Sequence, residues 1–365
     1  MSVQMGATTV MGAMGAMGAM GAMGAMGAMG AMGASGPGGP ELNLMLVDAL
    51  IKSRGGTVPA ELGEPLVRSL PRTLDRAEDF ARWAPHIRQL VLLFDLLGGL
   101  RFSVAGVVAR LEHVSFNRTG TSARLLPIAE IKRPALAVFK GQAKLVAGYA
   151  ELRAERASEI LAQLTPQWAF WNSAANLRLD QRPRTQELMS LALSLASIIE
   201  MRFKHALACP RPSDYLPRIQ PIIPVPLHGS LPSGHATEAF IVAHLLTQLR
   251  AEGHRFVDDL QRLAERTSIN RSVAGVHFPI DSEAGRLLGT SLGEYLVCLC
   301  RRDSAAPAGS WQARTFETRD PGFDFVVPGA PLLPGTRQAD PQHPTAAAPT
   351  TALQWLWRQA AAEWR

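Results

Sequence analysis

The amino-acid sequence predicts an all-α fold, a bundle of packed helices. Two observations carry the prediction. Segment after segment sets apolar residues three and four positions apart, and no convincing period-2 strand set or hairpin signal emerges. A third concerns size: 365 residues, 47% of them hydrophobic, are enough to bury a large core.

Residues 1–40 stand apart. No charged residue precedes Glu41, ten of the 13 Met and 12 of the 32 Gly fall here, and residues 11–33 repeat Met-Gly-Ala. Without Pro the Gly period cannot support a collagen helix. Gly at every third position costs about 1 kcal/mol apiece in helix propensity, which argues against a membrane span. A secretory signal would need a basic start and a compact apolar run, and neither is present. The expectation is a disordered low-complexity tail.

A helical domain is expected over residues 41–302. Its helices are read at Glu41–Lys52, Arg72–Trp83, Pro85–Leu97 and Phe102–His113, then over a long stretch from Pro134 to Leu164. Arg184–Leu207 presents a wide apolar surface through Leu188, Leu191, Leu195, Ile199 and Phe203. Seven prolines between Pro210 and Pro232 exclude a helix interior there. Helix resumes over Ser233–Arg250, Arg255–Ile269 and Asp281–Cys300. Residues 303–365 read as a Pro/Ala-rich arm ending in a short helix from Thr351, whose three Trp dock on the body or a partner subunit. Membrane-surface binding is the rival reading of that helix.

Composition narrows the function classes. No run of 18 apolar residues appears outside the tail, so no transmembrane span is expected. Lys+Arg 37 against Asp+Glu 31 gives +6, but the basic residues are dispersed and few aromatics accompany them, so nucleic acid is not an expected partner. Cys209, Cys298 and Cys300 have neither disulfide nor metal-ligand spacing. With no signal visible, the expected location is the cytoplasm.

Three short stretches carry chemistry: Lys204 to Arg211-Pro212, Pro232-Ser233-Gly234-His235, and Arg271 to His277 and Asp281. Together they suit the holding of a tetrahedral oxyanion. Lys204 and Arg211 supply cationic donors, and Arg271 adds a second guanidinium. Ser233 and Gly234 stand where a Pro-rich loop enters a helix, so a hydroxyl and a backbone N–H without a Cβ in the way can meet an anion at the helix N-terminus. Ser233 can equally be a plain N-cap. His235 can move a proton, and His277 can attack or coordinate the central atom. Asp281, four residues on, can fix the His277 tautomer, cap the last core helix, or both. Cys209 shows no mark of a thiolate nucleophile. His205 is expected to face away, Trp168 and Trp171 to anchor core or interface, and Asn172 and Asn176 to line a pocket or cap a helix.

In this order, Lys-x6-Arg-Pro, Pro-Ser-Gly-His and Arg-x5-His-x3-Asp resemble the signature of the vanadium-dependent haloperoxidase and type 2 phosphatidic acid phosphatase (PAP2) superfamily, and the resemblance implies its helical bundle. The motifs cover Lys204–Asp281, and the helical layout extends the likeness over about Glu41–Cys300. The usual third motif opens Ser-Arg, whereas here Asn270 precedes Arg271.

The resemblance implies two chemistries on one constellation. In the haloperoxidase reading His277 binds the vanadium of vanadate, and Lys204, Arg211, Ser233, Gly234 and Arg271 hold its oxygens. His235 then helps deprotonate hydrogen peroxide, Lys204 polarises it, and a halide is oxidised to hypohalous acid. In the phosphatase reading, which needs no cofactor, His277 attacks phosphorus, Asp281 orients it, and His235 protonates the leaving alcohol of a phosphate ester. The lipid phosphatases of the superfamily carry several membrane spans and its periplasmic acid phosphatases are smaller and secreted. A body with long helices ahead of the motifs is similar to bacterial haloperoxidases, so the haloperoxidase reading leads. His228, seven residues before His235, matches the His of algal bromoperoxidases where fungal chloroperoxidases carry Phe, which favours bromide if His228 borders the cofactor. A phosphatase is the alternative, a non-catalytic oxyanion-binding protein the second, and a homodimer is an expected assembly.

Overall fold

The computed structural model describes residues 44–57, 80–117, 121–164, 167–250, 254–301, 310–325, 337–342 and 351–364. The expected N-terminal tail lies outside these residues, as does most of the expected helix Arg72–Trp83.

Helices dominate, but the all-α expectation is wrong. A five-stranded mixed sheet runs β1 (Leu100–Ala105), β2 (Val108–Phe116), β3 (Ala123–Lys132), β4 (Arg314–Phe316) and β5 (Arg337–Gln338), in that spatial order. All neighbours are antiparallel except β3 and β4, which are parallel. The expected helix Phe102–His113 is therefore a hairpin. Val104, Val107, Val108 and Leu111 fit a helical stripe, but Gly106 at φ +58 turns the chain between the paired Ala105 and Val108. Along β2, Ala109, Leu111, His113 and Ser115 are buried while Arg110, Glu112 and Val114 are half-buried, the alternation of a sheet with one covered face. Pro127 sits inside β3 opposite Glu112, where the register shifts, and such a bulge tolerates proline. Residues 303–350, expected to be irregular, supply β4 and β5.

The helices begin with α1 (Leu44–Thr57) and α2 (Pro85–Gly98). The long stretch expected from Pro134 to Leu164 is broken into α3 (Leu136–Gly148), a 3-10 turn at Tyr149–Leu152 and α4 (Arg153–Ala162). After α5 (Trp168–Ala175) comes α6 (Pro183–Leu207), which buries Leu188, Leu191, Leu195, Ile199 and Phe203 against its neighbours. The Pro-rich connection holds only the short α7 (Pro212–Tyr215) and a 3-10 turn, before α8 (Gly234–Leu249), α9 (His254–Val273), α10 (Pro279–Cys300) and α11 (Thr351–Ala362).

Two features position the site. On α10, Gly285, Gly289 and Gly293 form a stripe facing α8, where a Cβ on Gly285 would lie 2.6 Å from the Ser233 carbonyl oxygen and 2.7 Å from Ala236 Cβ. This close approach brings the second and third motifs together, and the Ser233 N–H donates to the Asp281 carbonyl at 2.9 Å. At the other end of the body, α11 buries Leu353, Trp355, Leu356 and Trp357 and packs on α6 of the same chain. Just past α11, the Glu363 carboxylate accepts from the backbone N–H of Arg184 and of Thr185, both at 2.8 Å, and so caps the N-terminus of α6. No helix among the described residues is long and apolar enough to cross a membrane.

Candidate oxyanion site

Lys204 occupies the last turn of α6, which ends as Ala208 takes a left-handed conformation at φ +48. Its buried ammonium donates to the carbonyls of Ser230 (3.3 Å) and Pro232, pinning the Pro-rich loop to the helix end. One of its three N–H donors stays available. Arg211 is buried where the chain turns into α7. Its guanidinium reaches the carbonyls of His228 (3.1 Å), Val276 (2.8 Å) and Gly229 (3.2 Å), and it also meets His277 Nε2 (3.0 Å) and His228 Nδ1 (3.1 Å). Arg211 thus ties the first motif to the third and to the loop that leads into the second.

Ser233 takes the N-cap position of α8, yet its side chain caps nothing; Oγ is buried without a partner. The plain N-cap reading therefore does not account for it. Gly234 is needed for space, since a Cβ there would lie 2.5 Å from Glu200 Oε1. His235 is half-buried and its Nε2 meets the Gln163 carbonyl at 2.9 Å, so Nε2 carries the proton and Nδ1 is left as the acceptor. Arg271 is buried; one nitrogen donates to Gln163 Oε1 (2.7 Å) and to the Ile160 carbonyl (3.4 Å), while Nε and the other terminal nitrogen have no partner.

Asp281 fills both roles foreseen for it. Its Oδ2 accepts from His277 Nδ1 (3.1 Å) and from the Phe278 backbone N–H (2.9 Å) at the start of α10, and Oδ1 is buried without a partner. With the His277 proton on Nδ1, the Nε2 lone pair faces the Arg211 donor.

A cavity of about 60 Å³ gathers these groups. Lys204, Arg211, Gly234, His235, Arg271, His277 and His228 line it, whereas Ser233 and Asp281 are not on its wall. Burial sets the protonation states. Desolvation, reinforced by the neighbouring cations, lowers His228 to about 4 and His235 to about 3, and holds His277 well below its ordinary value. All three imidazoles are neutral at pH 7. Burial also lowers Lys204 to about 8 and each of Arg211 and Arg271 to about 10.

The remaining sequence candidates separate cleanly. Burial raises the Cys209 thiol to about 12, so it is no thiolate. His205 is exposed. Trp171 is buried and Trp168 half-buried, the two rings packed edge-on. Asn172 and Asn176 are exposed and do not line the cavity; Asn172 Oδ1 accepts from the Arg178 N–H, and Asn176 ends α5 in a left-handed conformation.

Gln163 and Glu200 were not singled out in the sequence, and Asn270 was noted only as a departure from the usual motif. Gln163, just past α4, holds both Arg271 and His235. Asn270, where the usual motif has Ser, donates to Gln163 Oε1 (3.1 Å) and Glu159 Oε1 (3.0 Å), and so fixes the residue that orients its neighbour. Glu200 lies one turn before Lys204 and lines the cavity, with Oε2 buried and unpartnered. Its signal was the Glu-x3-Lys spacing, which ordinarily marks a solvated helix face. Nothing in the sequence marks Gln163.

Buried donors without partners on Ser233 and Arg271, the spare N–H of Lys204 and the close backbone approach at Gly234 suit phosphate or vanadate, and the unprotonated His277 Nε2, which here accepts from Arg211, is the nitrogen that could bond its central atom. Residues 187–303 match the sequence profile of the PAP2 superfamily, a segment that starts within α6, holds all three motifs and ends past α10. No curated protein matches the chain.

Proposed function

We propose that this chain is a vanadate-dependent haloperoxidase-like enzyme that uses hydrogen peroxide to oxidise a halide, bromide by preference, to hypohalous acid. The observation that carries the reading is the state of His235. Its Nε2–H is committed to the Gln163 carbonyl, which leaves Nδ1 with a lone pair and makes the ring a proton acceptor rather than a donor as it stands. Peroxide needs such a base; a leaving alcoholate needs an acid.

Vanadate, when bound, supplies a Lewis-acidic centre for peroxide without changing redox state. The other parts are the chain's own. His277 presents Nε2, kept unprotonated by the Nδ1–H bond to Asp281. Lys204, Arg271 and Gly234 line the cavity and would hold the oxyanion oxygens, Ser233 Oγ would join them by turning toward the cavity from behind its wall, and Arg211 holds His277 and the loop in register. His235 takes the peroxide proton and returns it as water leaves, while the halide gains the second oxygen. His228, on the cavity wall beside Arg211, places a neutral imidazole where the halide approaches.

Phosphomonoester hydrolysis is the second reading, favoured by the same His277 Nε2 lone pair, which Asp281 keeps unprotonated and which could attack phosphorus once released from Arg211. It ranks second because the leaving alcohol would need a proton from His235, whose one N–H is already given to the Gln163 carbonyl.

The two readings part in one experiment. Bromination with peroxide is measured with and without added vanadate, beside hydrolysis of p-nitrophenyl phosphate. Bromination that depends on vanadate supports the first reading. Ester hydrolysis that vanadate inhibits, with no bromination, overturns it in favour of the second. Phosphate binding with neither turnover indicates an oxyanion-binding protein. His277→Ala abolishes either activity.

A further inference from the structure

We propose that Glu200 makes this site selective for a tetrahedral oxyanion that carries a proton, by accepting a hydrogen bond from the anion's own hydroxyl. The inference rests on the oxyanion-site reading above and names the ligand class more narrowly.

A carboxylate is an odd guest in an anion site, and Glu200 is not there as an engaged counter-ion. Lys204 spends two donors on the carbonyls of Ser230 and Pro232, and the contacts of Arg211 go to loop carbonyls and two imidazoles. Glu200 is 4% exposed and lines the cavity, with Oε2 lacking any partner. It enters because Gly234 lacks a side chain: a Cβ there would lie 2.5 Å from Oε1 and 2.9 Å from Oε2. The carboxylate thus sits against the α8 N-terminus, where the anion is expected.

Oxygen against oxygen is repulsive unless a proton lies between them. Monohydrogen phosphate and protonated vanadate bring that proton, and an O–H to carboxylate bond is short and strong. Sulfate brings none near neutral pH and meets an acceptor facing an acceptor, so it is rejected by the group that welcomes the others. Glu200 faces Lys204 and Arg211, which favour its ionised form, and its charge in turn raises Glu238; burial outweighs the two cations and raises Glu200 to about 7. At about pH 8 the carboxylate is mostly ionised and the discrimination is expressed.

The test is binding, not turnover. Inorganic phosphate, orthovanadate and sulfate are titrated calorimetrically into the full chain at about pH 8. Phosphate and vanadate are expected to bind at least about tenfold more tightly than sulfate. In Glu200→Gln, of the same shape but able to donate, phosphate and sulfate should come within about threefold, chiefly because sulfate tightens. Equal binding of phosphate and sulfate by the wild type overturns the proposal without recourse to a variant. Discrimination that survives in a folded Glu200→Gln, verified by its thermal melt, does so too and shows a merely structural carboxylate. Binding of none of the ions would remove the oxyanion site itself, and this proposal with it.

Discussion

Asp281→Asn tests how the His277 tautomer is held. Oδ2 of Asp281 accepts two hydrogen bonds, from His277 Nδ1 at 3.1 Å and from the Phe278 N–H at 2.9 Å. Asparagine can place its oxygen there and its NH2 at the partnerless Oδ1 position. The reversed amide is excluded, because NH2 would then face the Phe278 N–H, donor against donor. The tautomer is therefore retained and only charge assistance is lost, the difference between a bond to an ionised group and a neutral one. That difference is about 1–2 kcal/mol, or roughly a five- to thirtyfold fall in kcat/KM. Asp281→Ala leaves two buried donors unpaired at about 1–3 kcal/mol each and frees the ring, so stability falls by about 2–6 kcal/mol and kcat/KM by at least about a thousandfold. The assay is kcat/KM in bromination or ester hydrolysis, alongside urea denaturation of each variant. A folded Asp281→Asn as inactive as the alanine variant would refute the reasoning, since the Phe278 N–H would then not be what fixes the amide.

Three further expectations follow the same logic. Ser233→Ala should hold or raise the melting temperature, because it removes a buried hydroxyl without a partner, yet weaken phosphate binding about fivefold, roughly 1 kcal/mol; a true N-cap would instead lose about 1 kcal/mol of stability. Gly285→Ala puts a methyl 2.6 Å from the Ser233 carbonyl oxygen and 2.7 Å from Ala236 Cβ, atoms that cannot swing aside, so urea denaturation should show a loss of about 1–3 kcal/mol. His228 and His235 have folded values of about 4 and about 3 against an ordinary 6.5, so the unfolded chain binds protons that the native one refuses. Their contribution to stability is complete above about pH 6.5 and is lost as pH falls toward 4, which melting temperatures measured across that range will show.

The site was more legible in the sequence than the fold. Lys204, Arg211, Gly234, His235, Arg271 and His277 converge on one cavity, and their spacing announces it because each motif binds through a local turn: a helix end, a helix start, a helix-to-helix corner. Asn270 departs from the usual residue but still anchors its neighbour through Gln163. The sheet was hidden for a physical reason. Val104, Val107, Val108 and Leu111 satisfy a helical period, and only the left-handed Gly106 breaks it. Pro127 disguised β3, and β4 is a strand of three residues whose pairing partner lies far back in the chain. Glu200 escaped notice because spacing says which face of a helix a residue shares, not whether that face meets water.

The cap on α6 bears on how the protein is made. The helix that delivers Glu200 and Lys204 is completed at its far end by Glu363, which meets Arg184 across 179 residues of chain. At roughly 5–20 residues per second, a ribosome delivers that carboxylate on the order of ten to forty seconds after the helix itself. Once Asp281 has been added all three motifs have been synthesised, yet α6 still has bare N–H groups at its start and no α11 over its apolar flank. The order of synthesis therefore leaves the nascent domain with its chemistry encoded and its keystone missing, a window in which a chaperone has the most to protect.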